Sequence, residues 1–209
     1  MAKAPDNDAG QITFAGELLR KGTHIGALVI PAGYYFLGLS KGQMLAIMVP
    51  IALAMVLVDI SRFKGWWLWT GFAYRFEGGM IRAHEKAGDF TGASYILTTV
   101  CICVIIFSKP VTIAALAFII VGDTLAALIG RRYGRHKFWN KSLEGSTACL
   151  IGTIAVALVA PDLALSVGIT GAVVAAVVEA LPLGVDDNVS VPLLSGLVMT
   201  LLERVMSQI

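Results

Sequence analysis

Apolar residues run through this chain in long blocks rather than in strand-like alternation. The blocks fall near 24–39, 44–60, 93–108, 111–129, 147–160, 163–180 and 191–206, separated by short polar or Gly- and Pro-bearing breaks. Blocks of this length, with at most two charged residues in each, predict helices, and a crossing of a hydrocarbon core takes ~20 residues. The expected fold is therefore all-α, a polytopic integral membrane protein of about seven transmembrane helices with residues 1–209 forming one membrane-embedded domain. The stretch 65–90 is different. It begins Gly65-Trp66-Trp67-Leu68-Trp69 and carries Arg75 and Arg82, a mix that suits a helix lying in the headgroup region, whether as a plain connector or as part of a substrate site.

Composition agrees with this picture. Hydrophobic residues make up 57% of the chain and charged residues 14%, with a mean hydropathy of +0.79, against roughly 25% charged in an average soluble domain. Composition thus argues against a water-soluble fold, and nothing in the sequence suggests a nucleic-acid partner. Cys101, Cys103 and Cys149 all lie in apolar runs, where a thiol behaves as a small hydrophobe, so neither disulfide nor zinc site is expected. The net charge of +2 says little, but its distribution sets an orientation. With the N-terminus inside, 13 of the 16 Lys and Arg residues lie on the inner side, and only Lys41, Lys109 and Arg204 lie outside. Any chemistry is then cytoplasmic, and the expected location is a bacterial plasma membrane.

The same side collects the unusual polar residues. Segment 122–146, GDTLAALIGRRYGRHKFWNKSLEGS, places Asp123 in or at the end of an apolar helix and follows it with five basic residues, Ser142 and Glu144. A carboxylate at that depth costs ~2.5–3.5 kcal/mol on insertion scales, so it is expected to face a polar cavity with a partner. If the helix runs unbroken to Gly130, Asp123 lies roughly 12 Å below the first arginine; if Gly122 ends the helix, Asp123 sits at the boundary. Either way Asp123 is suited to holding magnesium or another divalent cation while Arg131, Arg132, Lys137 and Lys141 offset a polyphosphate, although a basic cluster also serves as a topology anchor. Segment 179–196 adds Glu179 and the loop Asp186-Asp187-Asn188, which alone reads as a solvated turn. Together with Asp123 and Glu144 it reads as a shared metal and proton-transfer site. Phosphoryl transfer requires positioning, charge neutralisation and a group to orient the attacking hydroxyl. Arg20, Lys21 and His24 at the first span's entrance are candidates for a lipid headgroup or phosphate contact, or are boundary residues. Asp59 and Arg62, three apart, form a local ion pair by default. No GxxxxGK[ST], HExxH, GxSxG or paired CxxC occurs, which removes Walker-type, metalloprotease, serine-hydrolase and zinc-module readings.

Several of these islands, taken in order, resemble the CTP-dependent lipid kinases, the family of dolichol kinase, phytol kinase and a CTP-using diacylglycerol kinase. ELLRKGTHI (17–25), RAHEKAGDFTGASY (82–95), GDTLAALIGRRYGRH (122–136) with KSLEGS (141–146), and EALPLGVDDNVSVPLLSG (179–196) carry the resemblance. It implies transfer of the γ-phosphoryl group of CTP to the hydroxyl of a membrane lipid alcohol. It places Asp123, Lys141, Ser142, Glu144, Glu179, Asp186, Asp187 and Asn188 at motif positions. The expected roles are Asp123, Glu179 and Asp187 in catalysis; Arg131, Arg132, Lys137, Lys141, Ser142, Glu144 and Asn188 at the nucleotide; and Asp123, Glu144 and Asp186 at a metal. The central motif is also similar to that of the CDP-diacylglycerol synthases, which act on phosphatidate. Their C-terminal acidic, glycine- and histidine-rich signature is not found here, and the kinase reading is preferred.

Overall fold

A computed structural model describes residues 14–73, 85 and 88–208. Eight helices follow one another among these residues: α1 (Phe14–Gly26), α2 (Val29–Phe36), α3 (Lys41–Phe63), α4 (Gly92–Ile106), α5 (Lys109–Tyr133), α6 (Leu143–Val159), α7 (Leu165–Ala180) and α8 (Asp187–Met206). A short π-helical segment spans Leu68–Ala73, and a two-residue antiparallel ladder, β1 (Lys137–Phe138) with β2 (Lys141–Ser142), joins α5 to α6. Helix starts coincide with capping residues in the sequence. Ser40 and Gln43 form a reciprocal capping box at α3, Thr91 caps α4, Ser108 caps α5, Ser142 caps α6 and Asp186 caps α8.

Helix α5 is the axis of the bundle. Val111, Ala114, Ala115, Leu116, Phe118, Ile119 and Ile120 are at most 1% exposed, and the helix packs against α6, α7, α8, α1 and α2. Small residues bring α5 and α6 together. A Cβ on Gly122 would stand 2.9 Å from Cys149 Sγ, and one on Gly145 would stand 2.8 Å from the Ala126 carbonyl. Such close approach is how helices associate where lipid supplies no hydrophobic drive. Large apolar side chains are left on the outside instead, among them Phe36, Leu53, Ile106, Ile151, Val159 and Leu201.

Three helices, α3, α5 and α8, are long and apolar enough to cross a membrane, with mean hydropathies of 2.4, 2.2 and 1.5. This is consistent with an integral membrane protein. Helices α4, α6 and α7 are apolar but have 15, 17 and 16 residues, short of the ~20 that a straight crossing takes, so a count of seven spans does not follow from length. The expected first span at 24–39 is instead divided between α1 and α2. Pro31 explains the break, because its ring has no N–H for the Ala27 carbonyl and clashes with that carbonyl in a continuous helix; Ile30 N–H bonds Ala27 O instead, at 2.9 Å. The expected interfacial helix near 65–90 is seen only as the π-helical segment, since 74–84 and 86–87, with Arg75 and Arg82, lie outside the described residues.

Contacts fix which helix ends lie together. Lys109 donates to the Leu39 carbonyl at 3.0 Å, and Ser108 lies 3.5 Å from Glu203, joining α3, α5 and α8 at one end. At the opposite end Lys21 meets Asp123, and Lys141 meets Glu179 and Asp187.

Candidate active site

The polar end of the bundle is built from two ion-pair centres. Helix α5 continues without a break from Lys109 to Tyr133, so Gly122 does not end it and Asp123 is sunk below the basic helix end. Lys21 Nζ reaches across from α1 to Asp123 Oδ2 at 2.5 Å and to the Asp123 carbonyl at 3.2 Å. This lysine is only 2% exposed. His24, one turn further along α1, places Nε2 3.5 Å from the same carboxylate oxygen.

The second centre depends on the hairpin. Strand β2 ends where Ser142 begins α6, and its pairing of Phe138 with Lys141 turns the Lys141 side chain into the bundle. There Nζ lies 2.7 Å from Glu179 Oε1 at the end of α7 and 2.8 Å from Asp187 Oδ2 at the start of α8. Burial draws the Lys141 pKa down, but the Asp187 and Glu179 carboxylates outweigh it and hold the ammonium above its ordinary value. The second Glu179 oxygen, Oε2, is buried without a hydrogen-bond partner. Asp123 is close enough to act electrostatically on both Glu179 and Asp187, and Cys149 lies within reach of all four charges. Asp123, Lys141, Glu179 and Asp187, from four separate segments, thus share one region.

Other expected site residues lie elsewhere. Glu144, in the first turn of α6, accepts from the His136 backbone N–H at 3.2 Å and pairs with its Nδ1 at 2.8 Å. These bonds, the imidazole's first, hold its carboxyl well below the usual range, at about 2. Asp186 caps α8 and accepts from both the backbone N–H and Nδ2 of Asn188 at 2.8 Å. The expected metal trio is therefore divided: Asp123 pairs with Lys21, Glu144 with His136 and Asp186 with Asn188. Among the described residues no three His, Cys, Asp or Glu side chains converge as a metal cage. Arg131, Arg132 and Lys137 are exposed at the hairpin end, with the Arg132 guanidinium 5.3 Å from the Tyr133 ring and Lys137 Nζ 3.4 Å from the Gly130 carbonyl. Ser142 is buried and its hydroxyl accepts from Gly145 N–H at 3.2 Å, which makes it a helix cap.

Two features were not legible as site elements. Asp59 does pair with Arg62, at 2.9 Å, but it is fully buried and also accepts from Thr91 N–H and Oγ1 and from Ser94 Oγ, at 2.9, 3.0 and 2.5 Å. Arg62 in turn donates to the Glu85 and Asp89 carbonyls, so the pair fixes the segment leading into α4. Against that segment opens a cavity of about 310 Å³ between α1, the first turns of α4 and Asn188, with Arg20 and His24 on its wall. Arg20 and His24 on its wall were among the expected lipid-headgroup contacts and 82–95 carried part of the resemblance, but nothing in the sequence joined the two segments.

A helical bundle with apolar outer faces and paired charges gathered at one end defines the class as a membrane-associated helical protein with a polar site at one end of the bundle. The chain is similar to probable phytol kinase 1 of Glycine max, 30% identical over 202 residues that cover 84% of this chain and 64% of that one. It is also similar to probable phytol kinase 2 of Oryza sativa subsp. japonica, 30% identical over 154 residues, 63% of this chain and 51% of that one. An uncharacterized protein of Rickettsia prowazekii is 28% identical over 148 residues, 69% of this chain and 71% of that one. The chain thus spans between half and two thirds of these two plant proteins. No protein-family model and no solved structure matches it.

Proposed function

We propose that this protein is a kinase that transfers the γ-phosphoryl group of CTP to the hydroxyl of a membrane lipid alcohol, at the cytoplasmic face. The observation that carries the reading is the meeting of Lys141 with Glu179 and Asp187 beside the Lys21–Asp123 pair. The similarity to plant phytol kinases supports the acceptor class, and the resemblance of 122–146 to CTP-using enzymes supports the donor. Lys141 and Lys21 supply positive charge for the polyphosphate, and exposed Arg131, Arg132 and Lys137 draw the nucleotide to the hairpin end. In the transfer, the acceptor oxygen bonds to the γ-phosphorus and the bond to the β–γ bridging oxygen breaks. CDP leaves, and the hydroxyl proton passes to Asp187 or Glu179.

A magnesium ion fits this set better than it fits the divided trio, because magnesium keeps several waters and needs one or two carboxylates besides phosphate oxygens. Glu179, whose buried Oε2 has no hydrogen-bond partner, or Asp187 would hold it, with the other left to take the proton. Its chemistry there would be neutralisation of charge on the β- and γ-phosphates.

The test uses the full chain in lipid nanodiscs with CTP labelled at the γ or the α phosphorus and with phytol, a polyprenol, diacylglycerol or phosphatidate. Label from the γ position in an alcohol is the expected result. Label from the α position in phosphatidate would instead establish a cytidylyltransferase, and no label in any lipid would remove both enzymatic readings.

A further inference from the structure

The cavity beside α1 has two chemically different ends. One wall is apolar, formed by Ala27 at the α1–α2 break and by Ala93, Ile96 and Leu97 on the first turns of α4. The other carries Arg20, His24, Glu85, Thr91 and Asn188; Asn188 Oδ1 is a buried acceptor with no hydrogen-bond partner, and His24 Nε2, also without a hydrogen bond, faces Asp123 Oδ2 at 3.5 Å. Asn188 is 8% exposed and the His24 side chain 10%. A buried acceptor left unpaired is destabilising, and the Nδ2 of the same amide donates to Asp186 at 2.8 Å, which orients the group. The site therefore presents an acceptor that lacks a donor, at the polar end of a chamber with one aliphatic wall. A fully ionised phosphate would suit Arg20 on the same wall but has no proton to give Asn188 Oδ1, whereas an alcohol has one, followed by carbon.

Resting on the kinase reading above, we propose that this cavity is the acceptor site: the hydroxyl of the lipid alcohol donates to Asn188 Oδ1, and its first carbons lie along Ala93, Ile96 and Leu97. Asn188 then acts on the lipid rather than on the nucleotide. The volume of about 310 Å³ is at the small end of the ~300–1,000 Å³ typical of small-molecule pockets, which suits the hydroxyl end of the acceptor with its tail left in lipid. Asn188 follows Asp187 directly in the chain, so a hydroxyl held there lies next to the residue that grips Lys141.

The experiment compares wild type with Ile96→Trp and Ala93→Leu, which fill the chamber, and Asn188→Leu, which removes the acceptor at similar size. The KM for the alcohol, in mole fraction of the nanodisc, is measured separately from the KM for CTP. The three variants are expected to raise the alcohol KM at least tenfold and leave the CTP KM within twofold. A rise in the CTP KM with the alcohol KM unmoved would overturn the assignment. A second readout does not need turnover: a lipid alcohol bearing a diazirine near its hydroxyl is expected to label residues 91–97 in wild type and to lose that label in Ile96→Trp. Labelling confined to other segments would refute the site. If wild type phosphorylates no alcohol yet 91–97 is labelled, the kinase reading falls and the lipid-alcohol cavity stands.

Discussion

Replacing Lys141 by methionine keeps its length and apolar stem and removes only the charge between Glu179 and Asp187. At 2.7 and 2.8 Å, each pair gains about 6 kcal/mol of attraction at an effective dielectric of 20. Much of this is offset by desolvation, since the Glu179 side chain is 3% exposed and the lysine 29%. The net cost of leaving a buried carboxylate without its cation is ~3–5 kcal/mol. Asp187, at 32% exposure, hydrates in part, which puts the expected loss near ~3 kcal/mol, or roughly 6–12 °C in Tm for a chain of this size. Adding Glu179→Gln to Lys141→Met removes the stranded charge and is expected to return at least half of that loss. Thermal unfolding of the purified proteins in one detergent measures all four corners of the cycle. The pH arm carries an independent sign. Because the folded pKa of Lys141 is raised above 10.5, its stabilisation is fully present below that value. It is lost as pH rises through the higher folded value; Lys141→Met is expected to show no such loss. A double variant no more stable than the single one would refute the account, because the carboxylates would then not depend on the lysine.

Two further outcomes follow from local geometry. His136→Ala is expected to raise the Glu144 pKa from about 2 toward the ordinary carboxylate range, read by carbon-detected NMR titration; the wild-type contribution is present above ~4.3 and lost as pH falls toward the folded value, and an unmoved Glu144 pKa would contradict it. Gly145→Ala, whose Cβ would meet the Ala126 carbonyl at 2.8 Å, is expected to destabilise by ~1–3 kcal/mol, whereas Gly26→Ala, with nothing within 4 Å, is expected to leave Tm unchanged or raised.

How much of this was readable in the sequence depends on the range over which each feature is determined. Helices α3 to α8 follow from apolar runs, and all but α7 start at a capping residue, Ser40, Thr91, Ser108, Ser142 or Asp186, because caps and run lengths are local. The buried lysine at Asp123 was expected in kind, as a charge at depth needs a partner, but its identity was not, since Lys21 is 102 residues away. By its residue type alone Lys141 looked like one of five cations, and only the resemblance singled it out. Its inward turn comes from the hairpin, whose two-residue strands are too short to leave a periodic signal. Glu144 and Asp186 were grouped with Asp123 by charge, membrane side and the resemblance, and in the structure both are consumed locally, by His136 and by the α8 cap. The Pro31 break was legible in principle but was hidden by the unbroken hydrophobicity of 25–39.

The charges at the polar end are instructive because four of its carboxylates are each held by a cation. Asp59 has Arg62, Asp123 has Lys21, and Glu179 and Asp187 share Lys141. Isolated carboxylates in such surroundings would neutralise rather than persist, so the pairs are what allow ionised groups to be stored beside an apolar core. The first pair differs from the others in having its hydrogen-bonding capacity saturated by Thr91 and Ser94, which suits a fixed support for α4. The Lys141 centre is not saturated: Glu179 Oε2 is idle and Asp187 is one third open. Under the kinase reading, a polyphosphate entering this centre competes with Glu179 and Asp187 for Lys141. Each carboxylate it displaces becomes free to hold a cation or accept a proton. Ligand binding and the freeing of the catalytic carboxylates are then the same exchange, which a saturated pair such as Asp59–Arg62 has no capacity to perform.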